Sequence, residues 1–243
     1  MGAVTDVREL RALVGETSGG TGPARGQELY EFVRRERPVE CLELGFAHGG
    51  GSTWIAAALE ANGEGRLTSV DLLRARDYEP SAQATVDRAG LGHRVELVYE
   101  QTSYTWYLKR LIRERTRDGA CEPCIDFCFV DGAHNWDVDG FAFLLVDKLL
   151  KPGGWLLFDD LPWTVPDEWE GVPDEQRGVA QVQEVFDLLV AQHPGYDHLE
   201  TDGRWGWARK SLTAAPQVRT VIRRDVPAVL RQAARAARGR LRG

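Results

Sequence analysis

Two apolar runs in this sequence end in carboxylates. "FCFVDGAHNW" closes on Asp131, with His134 three residues on, and "LLFDDLPW" runs straight into Asp159 and Asp160. Acids gathered at one point repel one another unless something positive lies between them. A hard divalent cation binds through a few carboxylates and keeps positions open for water or a substrate oxygen. A histidine beside them has an ordinary pKa near neutrality, so it can move a proton. The pattern predicts a Mg²⁺ (or Mn²⁺) site built from Asp131, Asp159 and Asp160, with His134 as base or substrate contact and Asp131 beside it at the reaction centre. The plainer use of such acids is capping, by Asp131 ahead of a helix near Asn135 and by Asp160 ahead of Pro162. One terminus needs one cap, however, and here two acids stand in succession.

A second constellation lies upstream. "LELGFAHGGGST" places Glu43 and Gly45 at a strand end, then Gly49, Gly50 and Gly51 before Ser52 and a helix. Glycines there let the backbone turn tightly and approach a ligand. The spacing is not the G-x-G-x-x-G dinucleotide pattern. Asp71 closes "LTSVDL", where an acid can accept hydrogen bonds from both ribose hydroxyls of an adenosine. "YEQTS" offers Glu100, Gln101, Thr102 and Ser103 toward an adenine.

The elements that must position these residues alternate. Strands are expected at 39–44, 66–73, 94–100, 124–131 and 154–160, and helices at 52–61, 81–90, 105–119 and 136–150, with a further helix at 175–192. "YDHLETDGRWGWARKS" (196–211) alternates around Asp202-Gly203, a hairpin signal. Near-continuous apolar strands separated by helices spell a parallel sheet covered on both faces. The expected fold class is α/β: a Rossmann-like, doubly wound, mostly parallel sheet with an antiparallel C-terminal hairpin edge. The helix between 131 and 159 makes a right-handed crossover, so the two acid-ending strands should be neighbours with their carboxyl ends on one edge.

Composition narrows the function classes. The chain has 243 residues, 43% hydrophobic and 28% charged, as in an ordinary globular protein. No apolar run suits a membrane span, and "MGAVTDVREL" lacks the core of a signal peptide. Cys41, Cys121, Cys124 and Cys128 are too few for a disulfide framework and fit a reducing, cytoplasmic compartment. The net charge of −7 is uneven: residues 217–243 hold eight arginines and one aspartate, leaving −14 on the rest. Such an acidic body does not suit a nucleic-acid partner. Eight tryptophans are spread along the chain, and Trp136 and Trp163, close after the acids, could wall an acceptor pocket.

Taken in order, "LELGFAHGGGST", "LTSVDL", "FVDGAHNW" and "LKPGGWLLFDD" resemble a class I S-adenosylmethionine-dependent methyltransferase over roughly residues 28–210. The resemblance implies S-adenosylmethionine as cofactor, held by Glu43, Gly45, Ala47, Gly49 and Ser52 around its methionine part, by Asp71 at the ribose, by Thr102 and Ser103 toward the adenine, and by Asp131 near the methyl group. The acids resemble those of metal-dependent O-methyltransferases of the catechol and caffeoyl type and of related sugar-modifying enzymes of natural-product pathways. In the catechol-type relatives a lysine stands where His134 does, and the glycine loop is usually one glycine shorter. The division implied is 1–27 as a mobile N-terminal or lid segment, 28–211 as the methyltransferase domain and 212–243 as a basic tail. The partner implied is a small hydroxylated acceptor, with a homo-oligomer compatible. Two other readings are a metal-independent N- or O-methyltransferase and a non-catalytic scaffold that binds S-adenosylmethionine.

Overall fold

The computed structural model describes residues 2–15 and 21–213. The arginine-rich segment beyond residue 213, and with it most of the expected tail, lies outside the described residues. The main sheet contains β1 (Glu40–Leu44), β2 (Arg66–Leu72), β3 (Val95–Glu100), β6 (Ile125–Val130), β7 (Leu150–Phe158), β8 (Tyr196–Thr201) and β9 (Gly206–Lys210). A separate two-stranded hairpin pairs β4 (Thr116–Arg117) with β5 (Ala120–Cys121). The helices are α1 (Val7–Gly15), α2 (Pro23–Glu36), α3 (Gly50–Asn62), α4 (Ala82–Arg88), α5 (Thr105–Arg115), α6 (Trp136–Leu149) and α7 (Gln181–Val185).

Strand order is β3-β2-β1-β6-β7-β9-β8. The first five are parallel, and β9 and β8 add an antiparallel edge on β7. This is the mostly parallel, doubly wound sheet with a hairpin edge that the alternation predicts. Its faces are visible within β6, where residues alternate sides. Phe127 and Phe129 pack with Leu29, Phe32 and Val33 of α2 and Ile55 and Leu59 of α3. Cys128 and Val130 pack on the opposite face with Leu108 of α5 and Phe143 and Val146 of α6. Burying each large apolar side chain contributes about 1.5–3 kcal/mol, and both faces of β6 are used.

The chain leaves β1 toward β2 on one side and later returns to β6 on the other. Strand order therefore reverses between β1 and β6, and their carboxyl ends flank the crevice where α/β folds bind ligands. The residues after both strands are Gly45 and Asp131. The N-terminal segment does not stand apart from this body. Leu10 and Val14 of α1 are buried against Trp54, Ala56 and Ala57 of α3.

Three elements differ from expectation. The helix expected over 105–119 ends at Arg115, and the chain turns through Asp118 (φ 50°) and Gly119 (φ 83°) into the β4–β5 hairpin. The helix expected from 175 begins at Gln181 and continues as a wide π-turn over Phe186–Val190, because Gly178 takes φ 70° just before it. Strand β7 begins at Leu150, four residues early. No helix among the described residues is long and apolar enough to cross a membrane, and the four cysteines are unpaired.

Candidate active site

The turn after β1 is held from three directions. Gly45, at φ 90°, donates its N–H to Val70 O at 2.8 Å. A Cβ at this position would lie 2.1 Å from Asp131 O, so only glycine fits where the loop meets the residue following β6. Phe46 and Ala47 donate their N–H groups to Asp71 Oδ2 at 2.9 and 2.8 Å, and Leu72 N–H donates to Asp71 Oδ1. A carboxylate offers about four lone-pair positions. Asp71 thus commits three to the backbone and keeps one, on Oδ1, for a ligand. It clamps the loop first and has less capacity for two ribose hydroxyls than its sequence position implies.

Glu43 is buried beneath this loop, 1% exposed, and accepts hydrogen bonds from the hydroxyls of Ser52 and Ser69. Burial raises its pKa to about 8, against the opposing pull of the two serines, with the charges of Asp131 and Asp71 adding to the rise. Ser52, wholly buried, is spent on Glu43. Gly49, at φ 81°, forms the N-terminal boundary of α3. Ser103 accepts from the N–H of Thr105 at 3.1 Å at the start of α5. Thr102 beside it is exposed, and Gln101 is too.

The three acids do not converge as a set. Asp131 Oδ1 and Asp160 Oδ2 lie 3.7 and 3.1 Å from His134 Nε2. One donor atom from each of these three residues falls within 4.8 Å of the others. Asp159 faces elsewhere: its Oδ1 accepts from the N–H of Asp160 at 2.6 Å and from Arg204 Nε at 3.1 Å. The same guanidinium reaches Asp160 Oδ1 at 2.7 Å. Both His134 and Asp160 sit in the left-handed region, at φ 54° and 57°, a cost that residues at functional sites often carry. Asp131 does not cap α6. Asn135 does, accepting Val138 N–H at 2.8 Å, which leaves the Asp131 carboxylate to the cluster.

The electrostatics answer what positive charge lies between the acids. Burial works to lower the His134 pKa, but contact with Asp131 and Asp160 overrides it and raises it to about 10. In the protein alone His134 is therefore cationic at neutral pH. Burial holds the Asp131 carboxyl well above the usual range; His134 opposes the rise, and Asp159 and Asp160 add to it. Asp160 is lowered, chiefly by its hydrogen bond to His134 and further by Arg204. His134 Nε2 lies within hydrogen-bond distance of Asp160 but not of Asp131, and is buried without a well-directed partner. A histidine nitrogen and two carboxylates set around one point, with that nitrogen poorly satisfied, form a donor set that fits one divalent ion.

Residues that sequence reasoning passed over hold this arrangement in place. Tyr104 donates its hydroxyl to Asp139 Oδ1 and accepts from Ala133 N–H at 3.3 Å. Asp139 Oδ2 accepts Asn135 N–H at 2.9 Å. Together they staple the loop that carries His134. Thr21, 3% exposed, donates to Asp131 Oδ2 at 3.3 Å. Trp163, which the sequence did single out, lies 5.2 Å from the His134 ring, and Trp169 lies 5.8 Å from Trp163. Only Arg204 had a usable signal, as the one cation in the hairpin turn "TDGRW"; the others sit in segments read as helix or loop.

The family model for a methyltransferase domain matches residues 42–161, the span from β1 through the paired acids after β7. Over that span the chain matches a methyltransferase domain, and its sheet is the Rossmann-like methyltransferase fold. Among solved structures it is similar to the O-methyltransferase TomG from Streptomyces achromogenes, involved in tomaymycin synthesis and solved with SAM. The TM-score is 0.59 at 22% identity, covering 84% of this chain and 89% of that one. An O-methyltransferase from Bacillus cereus in complex with SAH gives 0.58 at 22% identity, covering 84% and 89%. A putative caffeoyl-CoA O-methyltransferase from Staphylococcus aureus gives 0.59 at 19% identity, covering 85% and 92%. At these identities the likeness is one of fold. No curated protein matches the chain in sequence.

Proposed function

We propose that this protein transfers the methyl group of S-adenosylmethionine to a hydroxyl of a small molecule, a sugar or natural-product scaffold, with the help of Mg²⁺ or Mn²⁺ in the cytoplasm. The observation that carries the reading is the meeting of Asp131, His134 and Asp160 beside Gly45, which puts a cation-demanding cluster next to the donor loop. The O-methyltransferases of similar fold support the choice of oxygen as acceptor atom. In the reaction the acceptor oxygen attacks the donor methyl in line, the C–O bond forms as the C–S bond breaks, and the hydroxyl proton must leave.

The chain's own residues would divide the work. The loop from Gly45 to Gly49, clamped by Asp71, receives the donor, with Glu43 and Asp131 as the nearest carboxyl groups for its cationic end. Thr102 and Ser103 border the adenine side. Asp131, Asp160 and His134 would hold the divalent ion, which when bound supplies a positive charge that lowers the acceptor hydroxyl's pKa. In the protein alone His134 keeps its proton and cannot serve as a base at neutral pH, and with its Nε2 committed to the ion it could not take a proton there either, so the acidified hydroxyl would lose its proton to water. Trp163 and Trp169 would wall the acceptor.

A second reading, metal-independent transfer, is favoured by one observation: His134 and Arg204 already compensate much of the acids' charge. Transfer of labelled methyl to a panel of hydroxylated sugars and phenols, with Mg²⁺ or with excess chelator, separates the two. The first reading expects label on oxygen that chelator abolishes and Mn²⁺ restores, with donor binding unchanged. Full turnover of a metal-free preparation in chelator would leave the second.

A further inference from the structure

Arg204 sits at the tip of the β8–β9 hairpin, 45 and 44 residues from Asp159 and Asp160, the acids it touches. Its Nε meets Asp159 Oδ1 at 3.1 Å and its other arm meets Asp160 Oδ1 at 2.7 Å, one fork across two consecutive carboxylates. The placement is built. Asp202 Oδ1 accepts the N–H groups of Arg204 and Trp205 at 2.9 and 2.7 Å, and Asp202 Oδ2 is taken by Arg25 of α2. Arg25 also stacks 4.9 Å over the Trp205 ring, and Arg204 O accepts Leu161 N–H at 2.9 Å. The tip is thus fastened to α2 on one side and to the segment after the acids on the other.

The Asp159 side chain is 2% exposed, and without a partner its charge would be costly there. The guanidinium supplies that partner and in doing so keeps Asp159 out of the cluster. It also occupies one oxygen of Asp160, leaving the other toward His134. We infer that Arg204 is a positioning residue that limits the cluster to two carboxylates and one histidine and competes with a divalent ion for the acids. This rests on the metal reading proposed above. Arg204 is then a resident cation that makes metal binding weak and exchangeable, and the hairpin anchor through Arg25 sets how firmly it competes.

The test is Mn²⁺ alone, titrated by calorimetry into the full chain without donor, for the wild type, Arg204→Gln and Arg204→Lys. Removing the guanidinium leaves Asp159 and Asp160 without their shared cation and frees the Asp160 oxygen that it holds. Arg204→Gln should bind Mn²⁺ at least about tenfold more tightly than wild type, while Arg204→Lys, which keeps the charge, stays within about threefold. In chelator the melting temperature of Arg204→Gln should fall, and Mn²⁺ should raise it more than it raises the wild type's. A purely structural arginine would give the opposite sign, with damage weakening the site. If Arg204→Gln does not fold, Arg25→Met loosens the tip without removing the guanidinium and should tighten Mn²⁺ binding by about two- to threefold. Equal or weaker binding in whichever of the two variants folds overturns the inference while leaving the metal reading standing. Failure of the wild type and every variant to bind Mn²⁺ overturns both.

Discussion

Glu43→Gln is a perturbation whose sign and size follow from the structure. The side chain is 1% exposed and satisfied by two serine hydroxyls, and its pKa in the folded protein is about 8 against an ordinary 4.5. Because the folded pKa is raised, the native state holds a proton that the unfolded chain releases above pH 4.5. Stability is therefore unpenalised below about 4.5 and falls as pH rises through 8. At about 1.4 kcal/mol per pH unit the full penalty is on the order of 4–5 kcal/mol, reached above pH 8. It is an upper bound, because relaxation of the buried site would lower it. Glutamine has nearly the same shape and never ionises. The measurement is urea unfolding of wild type and variant at pH 5.5, 7 and 9. The variant should lead by only about 1.4 kcal/mol at pH 5.5 and by about 4–5 kcal/mol at pH 9. Taking the difference cancels every other titrating group that behaves alike in both proteins. A difference that stays flat across this range would refute burial as the cause. A donor whose cationic end lies near Glu43 should also ionise it, so donor binding at pH 7 should release a proton in the wild type and not in the variant. Calorimetry in two buffers of different ionisation enthalpy reads that release.

Three further perturbations test the positioning. Asp71→Ala removes the acceptor for Phe46 and Ala47, so donor affinity should fall by one to two orders of magnitude, the scale of charge-assisted hydrogen bonds at about 1.5–3 kcal/mol, and both amides should exchange faster with deuterium; unchanged affinity would detach Asp71 from the cofactor. Tyr104→Phe leaves Oδ1 of Asp139, 1% exposed, without its hydroxyl donor while Oδ2 keeps the Asn135 N–H, so stability should drop by about 1–3 kcal/mol and kcat with it; unchanged kcat would mean that the loop carrying His134 does not depend on this staple. Truncation after residue 216 should preserve melting temperature and donor binding, since β9 ends at Lys210; a marked fall in melting temperature would show that the arginine-rich tail belongs to the domain.

Most of the fold was legible because near-continuous apolar strands and glycine-bounded helices alternate cleanly from β1 to β7. The β4–β5 hairpin was hidden for a physical reason. Asp118-Gly119 serves as well to stop a helix as to turn a hairpin, and helical pattern alone favoured the former. The late start of α7 depended on Gly178 taking a left-handed conformation, which one glycine in a helical pattern does not announce. At the site, the strand ends placed Asp131, Asp159 and Asp160 on one edge, as topology requires. They did not say which way each carboxylate turns, because that is decided by Arg204 from the hairpin and by the backbone N–H of Asp160. His134 was found by its spacing from Asp131. Its charge state was not, because a pKa of about 10 arises only once two acids have folded around it. Thr21, Tyr104 and Asp139 act across the fold, and local patterning carries no trace of such contacts.

The central claim is that Asp131, His134 and Asp160 form one cation site beside the donor loop. Crystals soaked in Mn²⁺ and measured at its absorption edge test it most directly. The account predicts an anomalous peak between these three residues, about 2.1 Å from an oxygen of each aspartate and close to His134 Nε2. It predicts also that the peak disappears in Asp160→Asn crystals soaked alike. No peak there at saturating Mn²⁺, with His134 still set between the two acids and Arg204 still on Asp159 and Asp160, would contradict it.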